Sequence, residues 1–186
     1  IIGNSFDDDA LKVLKLKKNL RLIDASNYSL EEKFKFTSHN QETLIQSEDV
    51  SKFNIKDFKI VSKKKPNPKQ MKNLIFAFNV CRYVKSNAIV LVSNETTTGI
   101  GSGQPSRLDS CQIAIDKMSR LTKTNDEIVA ASDAFFPFVD GIEKLIQSGV
   151  TAVIQPYGSI RDKEIIKFAN ETGTILVFSK TRHFRH

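Results

Sequence analysis

From Ala88 to Phe178 the sequence alternates short, largely apolar runs with amphipathic stretches. The apolar runs Ala88–Val92, Ile128–Ala131, Thr151–Ile154 and Thr174–Phe178 do not alternate internally, as expected of strands covered on both faces. Between them, Val139–Gln147 and Arg161–Thr172 carry helical spacing and stop at Gly149 and Gly173. Upstream, Pro66-Asn67-Pro68 opens a long helix, proline being tolerated in a first turn. Met71, Leu74, Ile75, Phe78, Cys81 and Val84 give that helix one buried face. After a glycine-rich turn at 99–103, Leu108, Cys111, Ile115 and Met118 form the inner stripe of another helix. Alternation of this kind predicts an α/β fold with helices layered on a sheet, α-β-α.

The first part of the chain is less regular. Asp7-Asp8-Asp9 leads into a helix that ends on Lys17-Lys18, acid and base placed to suit the helix dipole. Leu20–Ile23 reads as a strand. Residues 26–57 are polar and weakly patterned, with short strands expected at Lys33–Thr37 and Thr43–Ile45, and a third at Phe58–Val61. The expected division is an N-terminal piece over 1–25, a connecting segment with short strands over 26–66, and a main unit over 67–186. Ile1-Ile2-Gly3 does not resemble a signal peptide and reads as a cut through a longer chain, whereas Arg182–His186 reads as a natural end.

Charge and cysteine usage narrow the function classes. The net charge is +7, with basic runs at Lys12–Lys18 and Lys63–Lys65. No aromatics interleave with these lysines as a base-stacking platform requires, so the runs read as solvated surface or as attraction for an anionic small molecule, not a nucleic acid. No apolar run approaches the ~20 residues of a membrane-spanning helix. Cys81 and Cys111 fall on apolar helix faces and read as buried thiols; without a Cys-x-x-Cys motif no zinc site is expected. Two cysteines without a secretory signal fit a cytoplasmic protein.

Ligands of open α/β sheets gather beyond the carboxyl ends of the strands. Gly101–Arg107, Ser132–Phe138 and Gln155–Asp162 lie after strands, while Lys85-Ser86-Asn87 precedes one. The glycine loop can cradle an anion at a helix N-terminus, or simply supply a turn with positive φ; it lacks the Lys-Ser/Thr ending of a P-loop. Asn87 is open between a turn or cap residue and a functional amide. Phe135, Phe136 and Phe138 are open between core and a stacking role.

Taken together, Val84-Lys85-Ser86-Asn87-Ala88-Ile89-Val90, Gly99–Arg107, Ala131–Gly141, Gln155–Asp162 and the closing Arg182-His183-Phe184-Arg185-His186 resemble the AICAR transformylase/IMP cyclohydrolase family of purine biosynthesis. The resemblance runs from about Pro68 to the last residue, and Ile1–Leu22 is similar to a family segment too. In the middle the chain departs: Gln41–Gln46 stands where some members carry a glycine-rich stretch.

The resemblance implies a bifunctional enzyme whose C-terminal half transfers formyl from 10-formyltetrahydrofolate to the 5-amino group of AICAR. The other half closes the ring to IMP. It further implies cytidine-deaminase-like units without the zinc, a homodimer, and in some members a potassium-type alkali cation, here near Ser86 and Asp133. By the same resemblance Asn87 is the catalytic amide near the formyl carbonyl and the amine. Arg107, Phe135 and Arg182 bind the nucleotide, and Phe138 and Asp140 lie at the pterin, with Gly141 where Asn occurs in some members. The family's Lys-His pair belongs upstream of Ile1, and no such pair occurs here, so this chain alone is expected to be nearly inactive. His39 reads as a solvated loop residue, and His183 and His186 as packed tail or as groups orienting that pair. Asn87, Arg107, Phe135 and Arg182 are expected around one cavity. Asn87 is the awkward member, because in an all-parallel sheet it starts a strand that the others end.

Overall fold

The computed structural model describes residues 1–27, 34–49, 55–121 and 127–186. It divides into two compact units, Ile1–Glu48 and Asp49–His186.

In the first unit, β1 (Ile2–Gly3) pairs in parallel with β2 (Ile23–Asp24), across the short helix α1 (Asp8–Leu14). The acidic run starts α1 as expected: Asp7 is its N-cap, accepting a 2.7 Å hydrogen bond from Ala10 N. β3 (Phe34–His39) and β4 (Glu42–Ser47) form an antiparallel hairpin through Asn40, which takes φ +54. His39 thus ends a strand rather than lying in a loop; Lys33, expected to begin that strand, lies outside the described residues.

The second unit holds a six-stranded sheet. After a 3-10 turn at Ile55–Asp57 come β5 (Lys59–Ile60), α2 (Pro68–Cys81), β6 (Ile89–Ser93), β7 (Thr96–Gly101) and α3 (Arg107–Met118). β8 (Ile128–Ser132), α4 (Val139–Gln147), β9 (Val150–Pro156), α5 (Asp162–Glu171) and β10 (Ile175–Ser179) follow. The strand order is β5-β10-β9-β8-β6-β7. α2 starts on a full capping box, Asn67 and Gln70 bonding each other's backbone N–H, with Pro68 in the first turn.

The sheet separates two apolar layers. On one face Leu74, Ala77, Phe78 and Cys81 of α2 pack on Val90, Val129, Ile154 and Val177. On the other, Cys111 and Ala114 of α3, Ile142 and Leu145 of α4, and Ile165 and Ala169 of α5 pack on Ile89, Leu91, Val153 and Leu176. This is the α-β-α layering expected from the unalternating strands. Both cysteines are buried and unbridged. Burial pushes the Cys111 thiol up to about 12 and the Cys81 thiol well above its ordinary value.

In this second unit two more expectations change. Gly99, Ile100 and Gly101 are not a turn: they belong to the edge strand β7, and the hairpin turn lies earlier, at Asn94 and Glu95 with φ +50 and +56. The two glycines are required because α3 lies directly on them. A Cβ at Gly99 would stand 2.0 Å from the carbonyl oxygen of Ala114, and one at Gly101 1.8 Å from that of Ser110. Close helix–strand packing therefore accounts for them, and not an anion cradle. Second, the sheet is mixed. β6 runs antiparallel to both β7 and β8, while β8, β9 and β10 are parallel. The start of β6 therefore lies at the same sheet edge as the ends of β7, β8, β9 and β10.

Candidate functional site

That edge collects the polar clusters. Residues 84–88 precede β6, 102–107 follow β7, 133–140 follow β8, and 157–162 follow β9. The tail after β10 returns across them: His183 N donates to Asp133 O (3.0 Å), Ser86 N donates to Arg185 O (2.9 Å), and Arg185 N donates to Ser86 Oγ (3.1 Å). Residues near a chain end are ordered when bonded in this way.

At the centre is a buried ion pair. Asp133 is wholly buried and Arg107 has a side chain 9% exposed. One guanidinium nitrogen of Arg107 donates to Asp133 Oδ1 and, at 2.8 Å, to Ser132 Oγ; the other donates to Asn87 Oδ1 at 2.8 Å. The second Asp133 oxygen accepts from Ser86 Oγ at 2.6 Å. Asn87 spends both amide hydrogens on main-chain carbonyls, Gln104 O at 2.9 Å and Pro105 O at 3.0 Å, which fixes the carboxamide in one orientation. Ser110 Oγ of α3 donates to Asn87 O at 2.8 Å. Asn87 is therefore both a structural node and a half-buried amide whose oxygen retains acceptor capacity.

Beside this network lies a cavity of about 510 Å³, within the range of small-molecule sites. Asn87, Arg107, Phe135, Phe138, Asp140 and Arg182 all line it, with Pro105, Ser106 and Phe184. The mixed sheet resolves the difficulty of Asn87: antiparallel β6 starts where its neighbours end. The N-termini of α3 and α4 both open on the cavity and favour negative charge there.

The cations differ. Arg107 is committed to Asp133 and Asn87, so it acts on the cavity largely through the amide that it holds. Arg182 is exposed, and its guanidinium lies 4.9 Å over the Phe135 ring. Among the described residues no carboxylate lies within ion-pair reach of Arg182. Gly158, at φ +115, leaves room for that side chain: a Cβ there would stand 2.9 Å from Arg182 Nη2. Arg182 lines the cavity wall together with Asn87 and Arg107, and the tail that carries it is held by protein groups. Of the three phenylalanines only Phe136 is core; Phe135 is half-buried and Phe138 is 51% exposed, because their loop turns outward into α4.

Arg161 and Phe184 were not among the expected site residues. Arg161 lies 4.8 Å over Phe138 and pairs with Glu164 at 3.1 Å. Both sit within sequence blocks that mark this edge, but nothing in their local pattern says which way they point. Among the described residues no group of three or more His, Cys, Asp or Glu side chains converges as a metal site. Ser86 and Asp133, near which an alkali cation was expected, bond each other, and they also bond Arg185 N and Arg107 respectively.

Among the described residues no helix is long and apolar enough to cross a membrane. Comparison with known proteins gives a specific result. The family model described as AICARFT/IMPCHase bienzyme matches residues 1–117. "Bifunctional purine biosynthesis protein PurH" from Limosilactobacillus reuteri strain DSM 20016 is 43% identical over 188 residues, covering 100% of this chain and 36% of that protein. The same-named protein of L. reuteri subsp. reuteri strain JCM 1112 matches equally. The chain thus spans 36% of the length of these curated relatives. Among solved structures, an apo dCMP deaminase from cyanophage S-TIM5 superimposes with TM-score 0.42 at 16% identity, over 60% of this chain and 98% of that one. With the family match covering well over half of its residues, the chain belongs to the AICARFT/IMPCHase bienzyme family.

Proposed function

We propose that the protein carrying this chain transfers a formyl group from 10-formyltetrahydrofolate to the 5-amino group of AICAR, in a bifunctional enzyme that also closes the ring to IMP. The observation that carries this is the cavity lined together by Asn87, Arg107, Phe135 and Arg182, residues that the family resemblance singles out. The nucleotide is anionic, and Arg182 with the N-termini of α3 and α4 suits its phosphate. The half-buried face of Phe135 suits the aminoimidazole ring. Asn87 Oδ1, held by Arg107, suits the role of accepting from the 5-amino group and orienting its lone pair toward the formyl carbon. Phe138 and Asp140, at the exposed side of the cavity, suit the pterin.

That amine is a weak nucleophile, its lone pair drawn into the ring and carboxamide, so a base must take its proton during attack. Among the described residues no lysine or histidine lines the cavity, and Asp140 is its one carboxylate. The base then comes from residues outside this cavity lining, a part that the family's Lys-His pair would suit. A homodimer in the cytoplasm is part of the proposal. The same lack of a base favours one second reading for the isolated chain, a nucleotide-binding module without turnover. The test is steady-state formyl transfer by the full-length protein, wild type against Asn87→Ala and Arg182→Ala. Turnover that falls at least ~10²-fold with Asn87→Ala supports the assignment. Turnover unaffected by both substitutions overturns it.

A further inference from the structure

One wall of the cavity is the chain's tail, and a buried polar anchor, His183 with Asp49, holds it. From Arg182 to Phe184 the exposure runs out, in, out: Arg182 and Phe184 line the cavity, and the His183 side chain between them is wholly buried. The His183 ring packs 4.5 Å from the Phe78 ring of α2. Its Nδ1 meets Asp49 Oδ2 at 2.5 Å, 134 residues away in sequence. Leucine or phenylalanine would fill the same space without the cost of burying a polar ring, which an apolar interior penalises unless it is bonded. A directional bond adds what apolar packing lacks: a single allowed setting of the ring, and hence of the backbone carrying it. His183 N–H, donating to Asp133 O, ties that backbone to the buried carboxylate loop behind Arg107.

We propose that His183, bonded to Asp49, is a positioning residue for the nucleotide site, setting residues 182–184 so that Arg182 lies over Phe135 and Phe184 closes the wall. The functional part rests on the AICAR assignment above; the clamp itself does not.

The test uses the full-length protein with His183→Phe, which keeps the ring contact with Phe78 but loses the Asp49 bond. Asp49→Asn is the milder variant, and Arg182→Ala and the double variant His183→Phe/Arg182→Ala complete the set. Two quantities are read: amide exchange at His183 and Arg185 without ligand, and the Kd for AICAR. His183→Phe is expected to speed exchange at both amides by about tenfold, the factor that losing one ordinary hydrogen bond gives. Asp49→Asn is expected to change it in the same direction, which decides the matter should His183→Phe fail to fold. His183→Phe is expected to weaken AICAR binding several-fold in the wild-type background and by less than about twofold once Arg182 is alanine. Unchanged tail exchange in both variants overturns the clamp. An undiminished effect of His183→Phe in the Arg182→Ala background overturns the positioning role, since a merely structural defect would not depend on Arg182. A wild-type protein that does not bind AICAR would sink the assigned function, and the exchange rates would still decide the clamp.

Discussion

Arg107→Ala perturbs the buried network most directly. The substitution leaves Asp133 wholly buried without its countercharge and removes the donor from Asn87 Oδ1. Asp133 keeps only the hydroxyl of Ser86. Both members of the pair are shielded from solvent, so screening does not discount the loss, and breaking such a pair from one side costs about 3–5 kcal/mol. At roughly 3 °C per kcal/mol for a chain of this size, Tm should fall by roughly 10 °C. Arg107→Lys keeps the charge, but one ammonium cannot span Asp133, Ser132 and Asn87 as the planar fork does, so about 1–2 kcal/mol is expected. Urea titration of the three proteins at one pH, with equal slopes, reads these differences as shifts in midpoint. Arg107→Ala within about 0.5 kcal/mol of wild type would contradict this role of the buried pair, as would a lysine variant no better than alanine.

Gly99→Ala and Gly101→Ala should each destabilise by more than about 3 kcal/mol, because the new methyl would meet the backbone of α3; a wild-type midpoint for either would disprove that packing. Cys81 and Cys111 should resist thiol reagents in the native state and react only on unfolding, since both are buried with raised pKa values; rapid native labelling would count against their placement. Burial outweighs Asp49 and holds the His183 imidazole below its ordinary 6.5, with Arg82 lowering it further and Asp133 raising it. Its contribution to stability should thus be complete above pH 6.5 and be lost as pH falls through the lowered folded value, and His183→Phe should remove that slope. The 186-residue chain assayed alone should show formyl transfer reduced by ~10²-fold or more relative to the full-length protein, and near-normal turnover would contradict the need for an outside base.

The layered fold was legible where apolar content and period decide it. Val139–Gln147 is a helix over the expected residues, and the runs at 128–131 and 174–178 are strands shifted by a residue at most at either end. What pattern does not encode is direction. An apolar run reads alike whichever way it points, so antiparallel β6 and the true position of Asn87 emerged only from the pairing. The 94–95 turn escaped because Asn-Glu is not a usual two-residue hairpin signal, while the glycines after it read as the turn into the next helix. Those glycines answer to a helix backbone brought close by tertiary packing, a constraint with no local signature. The candidate site residues were legible by resemblance, and the structure gathers them; but the commitment of Arg107 to Asp133, and the anchoring of the tail by Asp49, depend on partners 26 and 134 residues away.

The most direct test of the central claim is a crystal structure of the full-length protein with AICAR. The aminoimidazole should lie against Phe135, with its 5-amino group within hydrogen-bond distance of Asn87 Oδ1 and its phosphate near Arg182 and the N-termini of α3 and α4. AICAR bound elsewhere, with this cavity empty at saturating ligand, would contradict it.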